Sequence, residues 1–265
     1  MSEYSAFAEV YDRLTGNIEY SKRADFIRTL LNRHKINDGA IVLDLACGTG
    51  SLTTLLAESG YDMIGVDNSP MMLCEAQNKM YDSEKNMLFL CQNMTELDLF
   101  GTIDAAVCTL DSLNHLDTPE EIKETIAKVG LFMNHGGIFI FDVNTIYKHR
   151  EILGNNTFVY DCDDVYCVWQ NQLNDDNSVE ISLDIFECED GVYYRESEGF
   201  KEIACPIEDY KKWLSEADFE ILDIYDEMTF NPLCDTTQRA VFVARYNGKL
   251  ATAEPCTVLE DKFPL

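Results

Sequence analysis

Hydrophobic positions follow two different periods along the chain, and the changes of period divide it into strands and helices. Short apolar runs rich in β-branched residues predict buried strands, while apolar residues that recur every three or four positions predict helices packed on one face. The predicted strands begin at residue 41 and cover 61–66, 87–90, 103–110, 138–143, 219–225 and 240–246, and the predicted helices cover 5–15, 20–34, 70–81 and 206–214 and begin at residues 52 and 118. Strands and helices that alternate in this way form a doubly wound parallel sheet, which binds ligands at the carboxyl ends of its strands.

Residues 157–200 interrupt this alternation with the two-residue period of an antiparallel sheet. Apolar side chains occupy every second position from 179 to 185, and polar residues fill the positions between them. Turn signals stand on either side, at 174–177 and at 190–191. The segment is therefore predicted to be an inserted antiparallel β lid rather than an independent domain.

Two glycines follow the first predicted strand. Gly48 and Gly50 lack the Cβ atoms that would keep a ligand off the backbone, and the start of the next helix offers N–H groups to polar atoms. Asp67 ends the second predicted strand, where an acid can accept both hydroxyls of a ribose. The pattern predicts a nucleoside-containing cofactor. A dinucleotide is disfavoured because Thr53 stands where a third glycine is needed, and for the glycines alone an ordinary turn is the alternative.

Four short stretches resemble the motifs of class I S-adenosylmethionine (SAM) dependent methyltransferases. Residues 43–50 (LDLACGTG) are similar to the first motif and residues 65–73 (GVDNSPMML) to the second, and the likeness continues at 92–94 (QNM) and 141–143 (FDV). The resemblance implies an α/β fold with a Rossmann-like seven-stranded sheet, in which the last strand is antiparallel and lies between the fifth and sixth. It also implies SAM as the cofactor and a small molecule as the methyl acceptor.

The resemblance further implies which residues bind SAM and how the chain is divided. The implied SAM-binding residues are Tyr11, Asp44, Ala46, Cys47, Gly48, Gly50, Asp67, Asn68, Met72, Asn93, Met94 and Thr109. Tyr11 lies in the predicted N-terminal helix, which closes over the cofactor in many small-molecule methyltransferases, and simple packing of its tyrosines is the alternative. We expect residues 1–150 to form the N-terminal helices and SAM-binding core, 151–204 the inserted lid, 205–246 the end of the core and 247–265 a C-terminal tail.

Candidate catalytic groups follow the fourth predicted strand. In the family this segment borders the SAM sulfur and the substrate, so Asp111, Asn114 and His115 would lie near the methyl group. Methyl transfer from a sulfonium is an in-line displacement, for which the protein mainly positions the nucleophile and excludes water. Either Asp111 or His115 could act as a general base. The alternative is that Asp111 and Asn114 orient the loop while His115 caps a turn.

Several other chemistries are disfavoured by the sequence. No Asn-Pro-Pro-Tyr or Asp-Pro-Pro-Tyr motif follows the fourth predicted strand, which argues against methylation of an exocyclic base amine. Cys47 and Cys108 have no neighbouring base, so covalent catalysis is not supported. The ten cysteines show no C-x-x-C or metal-site spacing, and we expect reduced thiols and no metal. Residues 200–203 read FKEI where several relatives carry His-x-x-Arg, so the acceptor recognition of that pair does not carry over.

The net charge of the chain limits which molecules it is expected to bind. The 48 acids and 20 bases give a formal net charge of −28, which disfavours nucleic acid, although an acidic surface kept for solubility would look the same. Neither a secretory signal nor an apolar run of membrane-spanning length is present, so a soluble, cytoplasmic protein is expected. Residues 157–200 hold 12 acids against Arg195 alone, together with several Tyr and Trp. This composition suits a neutral or cationic acceptor, whereas acids that merely face solvent are the alternative.

The leading hypothesis is a SAM-dependent methyltransferase that acts on a neutral or cationic small molecule. A non-catalytic SAM-binding sensor or assembly protein is the alternative, and it would yield no methylated product from labelled SAM and a metabolite extract. A nicotinamide-dependent oxidoreductase is a third hypothesis, which a nicotinamide titration would test. The target atom and the oligomeric state are left open.

Overall fold

The structure is a computed structural model that describes residue 14 and residues 18–83, 85–162 and 164–248. Tyr11 and nearly all of the predicted N-terminal helix lie outside the described residues, as does most of the tail at 247–265. The described strands, in chain order, are β1 (Ile41–Leu45), β2 (Asp62–Asp67), β3 (Leu88–Cys91), β4 (Ile103–Cys108), β5 (Met133–Asn144), β6 (Thr157–Cys162), β7 (Val165–Leu173), β8 (Val179–Glu189), β9 (Val192–Glu202), β10 (Phe219–Asp226) and β11 (Arg239–Tyr246).

Seven of these strands form the main sheet, in the order β10-β11-β5-β4-β1-β2-β3. The pairs from β3 through β5 are parallel, and β11 runs antiparallel to both β5 and β10. The last strand therefore lies between the fifth and sixth strands of this sheet, as predicted. The chain order reverses at β1 and β4, and such a switch point opens a crevice at the carboxyl ends of the strands.

The α-helices with described bounds are α1 (Tyr20–Arg33), which precedes the main sheet, and α2 (Ser51–Glu58), α3 (Pro70–Asp82), α4 (Pro119–Phe132) and α5 (Ile207–Glu216), which lie between its strands in the chain. The helix predicted to begin at residue 118 is α4, and it starts with a capping box. The Thr118 hydroxyl accepts a hydrogen bond from the Glu121 backbone N–H at 3.3 Å, and the Glu121 carboxylate accepts one from the Thr118 N–H at 3.2 Å. Within the described residues, no helix has the length and apolarity that crossing a membrane requires.

Two strand boundaries differ from the predictions by more than one residue. β4 ends at Cys108 rather than at residue 110, because Leu110 and Asp111 adopt left-handed backbone conformations with φ of 60° and 55°. β5 begins at Met133, five residues early, since Met133 already pairs with Ile103 before a bulge shifts the register. The π-helical turn Lys148–Leu153 after β5 was not predicted.

The four strands β6 to β9 form a separate antiparallel sheet, called the small sheet below, between β5 and α5 in the chain. The turns before and after β8 fall at the predicted positions, and the predicted alternation of buried and exposed residues is confirmed along β8. One face packs Val165, Cys167 and the apolar residues of β8 against Met72 and Leu153, forming a core of its own. The small sheet therefore rests on α3 and the π-helical turn, next to the crevice of the main sheet.

Candidate active site

A cavity of about 750 Å³ lies at the carboxyl ends of β1, β2 and β4. The main sheet supplies its floor, and Tyr160, Trp169 and Phe200 of the small sheet line the opposite side. The volume is that of a typical small-molecule site. We call the part of the cavity next to the turn after β1 the first half. The part lined by Tyr160, Trp169 and Phe200 of the small sheet is the second half.

The turn after β1 exposes backbone to the first half of the cavity. Gly48 lines it with a φ of +54°, and a Cβ built at Gly48 would meet no atom within 4 Å, so this position opens onto free space. Gly50 does not line the cavity. A Cβ built at Gly50 would lie 2.9 Å from the Cβ of Ala76, so Gly50 allows close packing against α3. Both glycines were predicted to make room for one ligand, but only Gly48 faces the cavity, whereas Gly50 makes room for α3.

Asp67, at the end of β2, is held by backbone donors. Its Oδ2 accepts a hydrogen bond from the Gly48 N–H at 2.8 Å, and its Oδ1 accepts one from the Ser69 N–H at 2.9 Å. Burial raises the pKa of Asp67, and these backbone hydrogen bonds oppose that rise. Each carboxylate oxygen keeps a second lone pair, so the group is fixed where it can receive two adjacent hydroxyls.

Asp44 and Cys47 lie deeper in the same half. The Thr53 hydroxyl donates to Asp44 Oδ2 at 2.6 Å. Burial raises the pKa of Asp44 to about 7, the Thr53 hydrogen bond opposes the rise and the charge of Asp67 adds to it. Burial, and then the charges of both aspartates, raise the pKa of the Cys47 thiol far above its usual value. A thiolate nucleophile at Cys47 is therefore disfavoured on physical grounds.

Most of the predicted SAM-binding residues line this cavity. Those that line it are Asp44, Ala46, Cys47, Gly48, Asp67, Asn68, Met72, Asn93, Met94 and Thr109. Gln92 lines it as well and was not among the predicted residues; its side-chain amide pairs with the backbone of Asp98 at 2.9 and 3.1 Å. Gln92 thereby holds the loop that carries Asn93.

The turn after β4 is held by Asp142, which the sequence analysis did not assign. Its Oδ2 accepts from the Leu110 N–H at 3.0 Å and its Oδ1 from the Asp111 N–H at 2.7 Å. Arg23 and Arg239 bind the same carboxylate at 3.1 and 2.6 Å. Two consecutive left-handed residues are strained, and they persist only where surrounding contacts hold them. Asp142 supplies those contacts, and the FDV motif at the end of β5 was its sequence signal.

Asp111 and His115 both line the cavity, and they differ in their surroundings. Asp111 Oδ1 is 3.2 Å from Arg239 Nη1, and Asp111 Oδ2 accepts a hydrogen bond from Asn144. Burial alone would raise the pKa of Asp111, but the charge of Arg239, followed by that of Lys148, outweighs it and holds the pKa below its usual range. The Asp111 carboxylate is therefore ionised and a weak proton acceptor.

His115 ends the short 3₁₀ turn Ser112–His115 and is 29% exposed. Its ring centre is 5.1 Å from that of Phe200, and its Nε2 is 3.8 Å from Glu202 Oε1. Asn114 is fully buried and does not line the cavity. Its amide donates to the carbonyls of Asn144 and Ile203 at 3.2 and 2.7 Å, so Asn114 ties this turn to the end of β9.

The second half of the cavity combines aromatic rings with one buried carboxylate. Trp169 lies 6.3 Å, centre to centre, from both Tyr160 and Phe200, and Glu202 is 3% exposed. Of the acids in 157–200 that the structure describes, none lines the cavity. The charge argument for a cationic acceptor that rested on those acids is therefore not supported by their positions. Glu202, just beyond them and within the FKEI stretch, does line the cavity, as do Asp44, Asp67 and Asp111 from other parts of the chain.

Comparison with known proteins identifies the family. The model of the methyltransferase domain family matches residues 42–137. A Geobacillus sp. (strain WCH70) protein provisionally named as a methyltransferase is 33% identical over 244 residues, which cover 91% of this chain and 99% of the relative. A glycine/sarcosine N-methyltransferase from Parasynechococcus marenigrum (strain WH8102) is 32% identical over 147 residues, 51% of this chain and 48% of that enzyme.

A solved structure has the same fold along nearly the whole chain. The SAM-dependent methyltransferase from Clostridium acetobutylicum ATCC 824 superposes with a TM-score of 0.85 at 34% identity, covering 92% of this chain and 99% of that one. The cavity fits such a donor, because Gly48 leaves the backbone open and Asp67 is fixed to receive paired hydroxyls. The chain belongs to the class I SAM-dependent methyltransferases, enzymes that use SAM as the methyl donor.

Proposed function

We propose that this enzyme transfers the methyl group of SAM to a small molecule that presents a neutral or cationic amine nitrogen. The observation that carries the proposal is that Tyr160, Trp169 and Phe200 of the small sheet line the cavity together with the buried carboxylate of Glu202. Aromatic faces and a carboxylate attract an ammonium group and the methylated product formed from it. An anionic acceptor would meet the same carboxylate at a cost.

The positive side chains that line the cavity have partners, including Lys201, whose Nζ lies 3.9 Å from Asp176 Oδ2. Both arginines that line the cavity, Arg23 and Arg239, are paired with Asp142, and Arg239 also pairs with Asp111. Lys148 donates to the Asn144 side chain at 2.8 Å, and burial lowers its pKa. A phosphorylated or carboxylated acceptor would have to displace one of these partners, which supports an amine over an anion.

The chain's own residues position the acceptor and accept its proton. SAM supplies a methyl group on positively charged sulfur, which an uncharged nitrogen can attack in line. The small sheet covers the cavity and limits water, while the aromatic rings orient the acceptor. We propose His115 as the group that takes the nitrogen's proton, because Asp111 is held ionised by Arg239 and is a weak base. In this proposal Asp111 serves to hold the turn.

The matching relative is compatible with a nitrogen acceptor. The Parasynechococcus marenigrum enzyme is named for N-methylation of glycine and sarcosine, and it matches about half of this chain. This similarity supports nitrogen as the acceptor atom on a related methyltransferase core.

The test follows labelled methyl groups from SAM into a metabolite extract. We expect label in a compound that a cation exchanger retains near neutral pH. Trp169→Ala should lower transfer at least tenfold and leave SAM affinity within a few-fold, because Trp169 lines the second half of the cavity. Tyr166→Ala is the matched control, since Tyr166 is exposed on the opposite face of the same strand. Label found only in anionic compounds would contradict the proposal.

A further inference from the structure

Arg23 is a charged residue on the buried face of α1. It stands four residues before Ile27, in the stripe that also holds Leu30 and Leu31, and it is only 5% exposed. A guanidinium is always charged, and burying one is costly unless its N–H groups find partners. The partners that Arg23 has, and those that it lacks, therefore indicate which ligand it could bind.

Only part of the Arg23 guanidinium is paired within the described residues. Its Nη1 donates to Asp142 Oδ2 at 3.1 Å, whereas its Nε is buried and has no hydrogen-bond partner in the part of the chain that the structure describes. Among the described side chains with such a buried, unpartnered atom, Arg23 is the one that lines the cavity; the others are Thr125, His149 and Tyr210. An unpaired buried N–H is costly, and a ligand in the cavity that accepted its hydrogen bond would remove that cost.

The unpaired donor of Arg23 determines the chemistry of a fitting ligand. In a guanidinium, Nε and Nη2 point their hydrogens the same way along one edge, and the ion pair with Asp142 uses Nη1 instead. Two parallel N–H groups match the two oxygens of a carboxylate, which binds such an edge bidentately. SAM carries one carboxylate, on the α-carbon of its amino-acid end. The donor of the methyl group therefore brings the kind of anion that this edge lacks.

The place of Arg23 in the fold also fits the amino-acid end of SAM. Asp67, which is expected to receive the ribose, ends β2, whereas Arg23 contacts Asp142, whose oxygens bind the backbone of the turn after β4. Since β1 lies between β2 and β4, the two places are two strand spacings apart, roughly 10 Å. A cofactor held by its ribose at Asp67 can therefore cross the turn after β1 and present its other end to Arg23.

We propose that Arg23 binds the α-carboxylate of SAM through the Nε–Nη2 edge of its guanidinium, while Nη1 stays on Asp142. Asp142 already fixes the guanidinium, so little side-chain freedom is lost when the carboxylate binds. This role concerns the methyl donor and is independent of which acceptor is used. With the edge occupied by SAM, an anionic acceptor would still have to displace a protein partner, which agrees with the amine proposed above.

The first experiment compares SAM with decarboxylated SAM, which lacks only the α-carboxylate. Calorimetric titration of the full chain without acceptor gives both affinities for the parent and for each variant. Arg23→Gln should lower the ratio of SAM affinity to decarboxylated-SAM affinity by about tenfold or more, because the bidentate contact is lost only for SAM. Arg28→Gln is the matched control and should leave the ratio unchanged, since Arg28 lies on the same helix, is exposed and pairs with Asp25.

The ratio separates a binding role from a structural one. If Arg23 only supported the fold, its loss would weaken both ligands alike, so a ratio within about threefold of the parent's would overturn the proposal. Arg23→Lys keeps the charge but not the two parallel donors, and it should recover only part of the ratio. Full recovery by lysine would overturn the bidentate contact. Since no acceptor is present, none of these results bears on the amine.

The second experiment observes the Nε–H of Arg23 in the parent protein, so it does not depend on the folding of a variant. Arginine Nε–H groups give ¹H–¹⁵N signals of their own, and burial slows the exchange of this one with water. Adding SAM should move the Arg23 signal downfield as the charge-assisted hydrogen bond forms, and adding decarboxylated SAM should not. A signal that SAM leaves in place, or that both ligands move equally, would overturn the proposal.

Discussion

At the residue scale, the first half of the cavity contains two carboxylates, those of Asp67 and Asp44. Their surroundings differ although they lie close together. Asp67 faces the ligand space with both oxygens held by backbone N–H groups, while Asp44 is buried beneath it and contacts Thr53. The Asp67 carboxylate remains accessible from the cavity. The Asp44 carboxylate is kept away from water, and this environment penalises its charge.

Asp67→Ala should weaken SAM binding on the order of a hundredfold. Hydrogen bonds to charged groups contribute roughly 1.5 to 3 kcal/mol each, and about 2.7 kcal/mol corresponds to two factors of ten in affinity. Part of the loss would come from the freed N–H groups of Gly48 and Ser69. Calorimetric titration with SAM is the measurement, and Asp62→Ala, exposed at the far end of β2, is the control. Parent-like affinity for Asp67→Ala would show that Asp67 does not hold the ribose.

Asp44 should make the SAM-free protein less stable as pH rises from about 4 to about 7. Its pKa is raised to about 7 from an ordinary value of 3.8, so the folded state binds more protons than the unfolded state within this window. The free energy of unfolding therefore falls as pH rises through the window, and the penalty is constant above it. The effect of this one group is at most about 4 kcal/mol.

Asp44→Asn should remove that penalty, since the amide stays neutral and its oxygen can still accept from Thr53. Urea unfolding of parent and variant should give similar stability near pH 4 and a more stable variant at pH 8. Comparing the two proteins at each pH cancels the titration of other groups. A stability difference that does not change between these pH values would exclude Asp44 as its source.

At the element scale, the sequence predicts structure well where local patterns decide it. The start of α4 was predicted because Thr118, Pro119 and Glu121 act within one helical turn. The small sheet was predicted because its strands alternate with turn residues. The predicted end of β4 was wrong because Asp142, which is far away in the chain, binds the backbone N–H groups of Leu110 and Asp111 and holds them in a turn. Local patterns carry no information about such a partner.

The same limit applies to the candidate site. Residues of the motifs after β1 and β2 were expected to lie together, and they line the cavity, because each motif is contiguous in the chain and the two strands end at the same edge of the sheet. The second half depends on Glu202, His149 and Arg239, which come from three separate elements. Asp142 binds Arg23 and Arg239, which are 119 and 97 positions away in the chain. In the sequence alone, each of these three residues is most simply interpreted as an ordinary charged residue on the surface. Only the folded chain brings them together.

Asp142→Ala should destabilise the protein by about 3 to 5 kcal/mol, because it leaves two buried arginines without their shared carboxylate. It should also release the left-handed turn at Leu110 and Asp111. Chemical denaturation gives the stability change, and Asp223→Ala, exposed on β10 of the same sheet, should stay within about 0.5 kcal/mol of the parent. A loss below about 1 kcal/mol for Asp142→Ala would mean that the arginines find other partners.

At the scale of the whole molecule, the charge is the dominant feature. A formal net charge of −28 places many carboxylates on the surface, where they repel one another and oppose the compact state. The buried ion pairs around Asp142 act against this repulsion at one place, and they are shielded from solvent ions. Surface repulsion and buried pairing therefore respond differently to added salt, which screens exposed charges over about 10 Å at 0.1 M and buried ones far less.

Added salt should therefore stabilise the protein. We expect the free energy of unfolding at pH 7, measured in urea, to rise by about 1 to 2 kcal/mol between roughly 0.01 M and 0.5 M sodium chloride, as screening weakens the surface repulsion. Most of the rise should occur by about 0.1 M, where the Debye length already falls to about 10 Å. Sucrose at equal osmolality is the control for general exclusion effects, and it should act in proportion to its concentration instead. Stability that falls with salt would show that exposed ion pairs, rather than the excess of acids, dominate the surface electrostatics of the folded chain.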